Sequence, residues 1–150
     1  MQTTALPLLI EQSRELRDKL AAAVSHGTRA LQQAQATLDQ LGRFREDTLA
    51  RSPTGRVGGF SADRLHDWQL FMTRLDEALD LQRAECERRA QALAMRQQQL
   101  ADGQRRLMAF EALAARQAAE RQRRQARQAQ RDSDEFAARA TRVPSIPETQ

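Results

Sequence analysis

Arg51-Ser-Pro-Thr-Gly-Arg-Val-Gly-Gly-Phe60 is the one strong break in an otherwise helix-forming chain. It holds a proline and three glycines. Pro53 and the paired Gly58 and Gly59 end any helix that reaches them. Ser61 then supplies an N-cap, and Asp63 puts negative charge in the first turn that follows, where the helix dipole favours it. On both sides of the break the composition is that of long helices. Ala, Arg, Gln, Leu and Glu make up 96 of the 150 residues, and all are strong helix formers. Ile and Val together number five and Tyr is absent. Sheets favour β-branched and aromatic residues, so this usage argues against a sandwich, a barrel or a doubly wound sheet.

The first helical stretch runs from about Ala5 to about Leu49, with Pro7 tolerated in its first turn, where amide donors lack partners. A heptad frame fits it. Ile10, Arg17, Val24, Leu31, Leu38 and Arg45 occupy a, and Leu6, Ser13, Leu20, Gly27, Ala34, Leu41 and Thr48 occupy d. Leu9, Leu16, Ala23, Ala30 and Phe44 widen the stripe at g. In the second stretch, Leu65, Met72, Leu79, Cys86, Leu93, Leu100, Leu107 and Ala114 occupy a, all apolar. Trp68, Leu75, Gln82, Arg89, Arg96, Gly103, Phe110 and Gln117 occupy d, polar through the middle. A repeat of 3.5 residues sustained this long implies a left-handed coiled coil. Two single-striped helices joined by a short loop imply an all-α fold, an antiparallel two-helix hairpin.

Antiparallel pairing sets a against d. The register expected from the apolar layers places Leu38 against Leu75, Leu41 against Met72, Gly27 against Cys86 and Leu20 against Leu93. It also brings Arg17 opposite Arg96, an unfavourable layer. The expected organisation is a hairpin over residues 1–142, with arm one at 5–50, the turn at 51–60 and arm two at 61–142. The second arm overhangs the first over residues 108–142, and 143–150 form a disordered tail. From Arg116 to Arg131 six arginines face a single acid, Glu120. High helix propensity without a partner face makes that overhang helical yet dependent on whatever it meets.

Chemistry of sites is sparse. His26 and His66 are far apart and in no metal-binding spacing, and there is no phosphate-binding glycine motif. The lone Cys86 forms no internal disulfide and falls in the apolar stripe, where a small buried hydrophobe is the default. A two-helix hairpin offers no water-excluding pocket to perturb its carboxylates. The reading is a non-enzyme with no cofactor and no metal. No apolar run approaches the ~20 residues of a membrane span, and Ala5 to Ile10 is too short for a signal-peptide core. A cytosolic protein able to touch a membrane-bound partner is expected, without membrane insertion. The net charge is +4, with 24 basic side chains. The arginine run has no aromatic between Phe110 and Phe136 for base stacking, so nucleic acid is not the expected partner.

Four segments resemble a known family. Trp68-Gln-Leu-Phe-Met-Thr-Arg-Leu-Asp-Glu-Ala-Leu79 is similar to the aromatic-Gln-x-Phe-x-x-x-Leu-(Asp/Glu)-x-Ala-(Ile/Leu) segment of the flagellar export protein family FliJ. Gln33-Ala-Gln-Ala-Thr-Leu-Asp-Gln-Leu-Gly-Arg-Phe44 resembles the family's first-arm segment. Gly103-Gln-Arg-Arg-Leu-Met-Ala-Phe-Glu-Ala-Leu113 resembles its arginine-rich stretch, and Asp134-Glu-Phe-Ala-Ala-Arg139 its Asp-Glu-Phe ending. The resemblance implies a soluble component of the flagellar type III export apparatus, peripheral at the cytoplasmic face of the cell membrane. It implies a stalk in the ring of the hexameric export ATPase, a contact with the cytoplasmic domain of the membrane export gate, and binding of export chaperones. The gate-facing surface carries over to Leu41, Phe44, Phe71, Leu75 and Ala78. Thr48 stands where the family has an aromatic, and Gln82 where a histidine is expected. The arginines Arg121, Arg123, Arg124 and Arg127 are the candidate contact with the ATPase ring. Without the resemblance, Leu41 and Leu75 read as core, and for Phe44 and Phe71, at g beside the seam, core packing stands ahead of an exposed partner patch. The competing function is a generic coiled-coil adaptor, such as an injectisome stalk or an arginine-rich nucleic-acid-binding hairpin.

Overall fold

The computed structural model describes residues 5–52 and 61–142. Two helices account for nearly all of them: α1, Ala5–Ala50, of 46 residues, and α2, Ala62–Ala140, of 79 residues. They form an antiparallel coiled-coil hairpin whose second helix is the longer. Most of the proposed turn and the tail at 143–150 lie outside the described residues.

The helix ends follow from local chemistry. At the end of α1 the amides of Arg51 and Ser52 donate to the carbonyls of Thr48 and Leu49, tightening the last turn. Ser61 caps α2, its Oγ accepting from the Arg64 amide at 3.4 Å and its carbonyl from Arg64 and Leu65. Asp63 occupies the first turn and Arg139 the last, so both complement the dipole. Threonines inside the helices turn their hydroxyls back on the carbonyl four residues earlier, as Thr28 does to Val24, Thr37 to Gln33, Thr48 to Phe44 and Thr73 to Gln69.

The heptad frame holds at the level of each side chain. Every a and d residue of α1 named above is buried or half-buried, and so is every one in α2 as far as Ala114. Gln117 is exposed. At g, Ala23 and Ala30 are half-buried, whereas Leu9, Leu16 and Phe44 are exposed.

Two compact units divide the chain, and α1 and α2 each contribute to both. In the unit spanning Arg14–Arg105 the buried core consists of Ala34, Met72, Leu75 and Leu79. The other unit combines the start of α1, as far as Ser13, with the chain from Arg106 onward. Here Leu107 and Ser13 are buried, and Leu6, Ile10, Phe110 and Ala114 are half-buried. From Ala115 to Arg142 every residue is exposed.

The cross-helix contacts depart from the expected register along the middle of the seam. A Cβ built at Gly27 meets Leu93 at 3.3 Å, where Cys86 was expected, and one built at Gly103 meets Leu20 at 3.0 Å. Arg45 Nε donates to Asp76 at 2.5 Å. Gln82 Nε2 donates to the Ala34 carbonyl at 2.9 Å, Arg89 Nη1 to Ala30 at 2.7 Å, and Arg96 Nη1 to Ala23 at 3.2 Å. Arg96 is thereby turned to Ala23 and Gly27 rather than to Arg17. The expected register rested on setting a against d. The observed one instead satisfies the polar d residues of α2, whose unpaired burial carries a cost.

The charged contacts have electrostatic consequences. The hydrogen bond from Arg45, aided by the charges of Arg45 and Arg83, holds Asp76 below the usual carboxylate range against partial desolvation. Glu85 is held low by hydrogen bonds from Arg88 and Arg89.

Two measurements check this packing. Leu79 is 3% exposed and Leu81 72% exposed. Leu79→Ala therefore costs about 2–4 kcal/mol, and Leu81→Ala stays within about 0.5 kcal/mol of the parent, read by urea unfolding. The second test is pH. Asp76 and Glu85 have folded pKa values below their unfolded ones, so they add stability above the ordinary carboxylate range and lose it as pH falls through that range. Thermal melting followed by circular dichroism drops between pH 7 and about pH 3. The drop is shallower in the Asp76→Asn, Glu85→Gln double variant.

Candidate partner-binding surfaces

The seam leaves two flanks, and they differ in chemistry. On the g flank, Phe44 of α1 and Phe71 of α2 meet edge to face, with ring centroids 6.2 Å apart and planes at 82°. This is a favoured aromatic geometry. Their position follows from the heptad, since g residues of antiparallel partners lie on the same side of the seam. The rings pack on each other, yet Phe44 is 52% and Phe71 42% exposed. A seam of two helices covers a g residue on one side only, so half of each ring faces outward.

The other expected surface residues are less open. Leu75 is buried at 7% exposure. As a d residue it forms part of the seam itself. Leu41 and Ala78 are half-buried. The outward-facing part of the group is therefore the phenylalanine pair. Leu70, directly before Phe71, is 43% exposed and is absent from the expected set. It occupies f, away from the stripe. An apolar residue off the seam is itself a signal of a partner surface, and it is legible in the heptad frame.

The opposite flank is ionic. Gly42, Arg45, Glu46, Asp76, Leu79, Asp80 and Arg83 line a shallow open recess. Nothing lies within 4 Å of a Cβ built at Gly42, so the missing side chain keeps that wall open. Arg45–Asp76 crosses between the helices here, and Asp80 pairs with Arg83 along α2 at 2.9 Å. Asp76 and Asp80 are thereby paired with Arg45 and Arg83.

The arginine run lies in the other compact unit. Arg121, Arg123, Arg124 and Arg127 are all exposed. Arg124 reaches Glu120 only at 3.9 Å. Further along, Gln128 donates to Asp132, Gln130 to Asp134 and Arg139 to Glu135, each to a residue four positions away. Among the described residues Arg124 is thus paired with Glu120, while Arg121, Arg123 and Arg127 make no ion pair and present their positive charge to solvent. Phe136, beside those acids, is 77% exposed. No helix of the described residues is long and apolar enough to cross a membrane.

No curated protein matches the chain. The family model described as "Flagellar FliJ protein" matches residues 1–144, almost the whole length, including both arms and all four segments quoted above. The chain belongs to the flagellar FliJ protein family, whose members are components of the flagellar protein-export apparatus.

Proposed function

We propose that this hairpin is a non-enzymatic stalk and escort of the export apparatus, joining the export ATPase ring to the cytoplasmic domain of the membrane export gate, with export chaperones as further ligands. The observation that carries the gate contact is the Phe44–Phe71 pair. Two aromatic rings from different helices hold each other in a fixed geometry and keep about half of their surface open. Such a pair loses little side-chain entropy on binding, and aromatic anchors of this kind dominate interface energies. Leu75 is buried in the seam. The exposed arginines of α2 supply long-range attraction to an acidic partner, which fits engagement of the ATPase ring. In this reading the protein works at the cytoplasmic face of the cell membrane, held there by its partners.

The gate contact is tested by Phe71→Ala. Truncating a half-exposed ring costs about 1–2 kcal/mol of fold stability, less than the roughly 3–5 of a fully buried Phe. Helicity and ATPase binding persist, while binding to the isolated gate domain falls by about tenfold or more. Circular dichroism with separate pull-downs on gate and ATPase reads the outcome. Melting of the hairpin would assign Phe71 to packing, and unchanged gate binding with normal motility would favour a generic adaptor.

The ATPase contact is tested by replacing Arg121, Arg123, Arg124 and Arg127 with Gln. Binding to the ring weakens, and the difference from the parent narrows as salt is raised, because screening removes the attraction the arginines supply. Equal binding of the two chains at low salt would leave the run as a solvated face.

A further inference from the structure

The exposed end of α2 carries an order that its charge count does not express. Each residue of an α-helix is turned by about 100° from the last. Of the six arginines between Arg116 and Arg131, five fall within one arc of about 100°: Arg116, Arg123, Arg124, Arg127 and Arg131. Only Arg121 lies off it. The five make a ridge along one side of the helix, roughly 22 Å long at a rise of about 1.5 Å per residue. All five are exposed. Glu120 is the one acid in this run, and it reaches Arg124 at 3.9 Å. The acids that follow are occupied, Asp132 accepting from Gln128, Asp134 from Gln130 and Glu135 from Arg139.

The rest of the segment limits what such a ridge can hold. From Ala115 to Glu135 there is no large apolar side chain, and the side away from the ridge carries Ala115, Ala119, Ala126 and Ala129. Protein interfaces are anchored by large apolar or aromatic residues in a desolvated centre, and the run has none. A helix that sinks into a bilayer carries Trp, Phe or Leu opposite its cations. Alanines, with one ring beyond the run at Phe136, do not supply that face. What remains is a line of guanidinium groups, each able to hold a phosphate through two hydrogen bonds. A rod touches a plane along one line, so a one-sided ridge suits a flat sheet of phosphates. The major groove of a duplex would enclose the helix and engage several of its faces. Single strands would need aromatic rings for stacking, and there are none between Phe110 and Phe136.

We infer that Arg116, Arg123, Arg124, Arg127 and Arg131 form a ridge that lays the end of α2 on the phosphates of an anionic lipid bilayer, without insertion. This goes beyond the ring contact proposed above and shares Arg123, Arg124 and Arg127 with it. The two contacts differ in what they require. Long-range attraction to the ring depends on net charge. Adhesion to a plane depends on how many arginines face it together, each contributing about fivefold in affinity beside an anionic leaflet. The cytoplasmic leaflet is such a surface, and a chain working at the export gate is within reach of it. That location rests on the proposed gate contact, whereas the lipid contact stands on the ridge alone.

The test uses the full chain without the ATPase, and vesicles of phosphatidylcholine alone or with an equal part of phosphatidylglycerol. By sedimentation, the parent binds the anionic vesicles about a hundredfold or more above the neutral ones, and raised salt releases it. The variant exchanges residues within the run: Gln122→Arg with Arg123→Gln, and Gln125→Arg with Arg127→Gln. Composition and net charge are unchanged, and both residue types favour helix, but the six arginines now spread around the axis. Its circular dichroism matches the parent. Its binding to the anionic vesicles falls by about tenfold or more, while its binding to a DNA duplex stays within about twofold. A pull-down on the ATPase reads the ring contact separately, since the exchange conserves the charge on which that contact depends. An exchanged chain that holds the anionic vesicles like the parent overturns the inference, as does a parent that binds both vesicle types alike. So does an exchange that weakens duplex binding as much as vesicle binding, which would assign the ridge to nucleic acid.

Discussion

A two-helix protein has one interface in which to bury apolar surface, and every other property of this molecule is arranged around that constraint. Each helix can hide only the stripe that faces its partner. Among the described residues no side chain is completely shielded from solvent, and the core shrinks to a single file of seam residues such as Ala34, Leu75, Leu79 and Leu107. Stability is then spread over many thin layers. Positions directly beside the stripe are necessarily half-covered, and the constraint that limits the core thereby creates the exposed phenylalanine edge.

The polar residues within the seam follow from the same geometry. In a thick core an arginine would be buried without water and costly. Here the interface is only two helices wide. Arg89 and Arg96 lay their stems across it and deliver their guanidinium groups to backbone carbonyls at its margin. Small residues on α1 make this possible. Gly27, Ala23, Ala30 and Ala34 contribute little apolar area, and what they supply instead is room. The seam thus alternates between two kinds of adhesion, apolar where Met72, Leu75 and Leu79 sit, and hydrogen-bonded from Gln82 to Arg96.

The two flanks divide function from support. The ionic flank is closed on itself through Arg45–Asp76 and Asp80–Arg83, and surface pairs of this kind contribute modestly and mainly discourage misalignment. The aromatic flank has no such satisfaction and is the one with affinity to spare. The exposed part of α2 after Ala114 has a third character, alanine and arginine without large apolar residues until Phe136. Nothing in its composition closes a core, so its helicity comes from propensity, side-chain pairs four apart and continuity with the packed helix before it.

Much of this was legible in the residues. Pro53, Gly58 and Gly59 placed the division between the helices, Ser61 its restart, and the heptad assigned inside and outside correctly from Leu6 to Ala114. The likeness to the flagellar FliJ family rested on motifs readable in order along the chain, and the edge position of Phe44 and Phe71 followed from their place at g. The register was not legible. A pattern that repeats every seven residues is unchanged by a shift of seven, so it carries the face of each helix but no address along it. Hydrogen bonds from Gln82, Arg89 and Arg96 to backbone carbonyls cross the seam, and every residue carries a carbonyl, so no letter of the sequence marks which ones will accept. Leu75 shows the same limit at the candidate site. Its family motif marks it for a partner surface, and only the packed hairpin reveals that it lies inside the seam while the two rings beside it face outward. Periodicity is a property of one chain segment and can be read from it. Alignment and exposure belong to a pair of segments, and they are decided only where both surfaces meet.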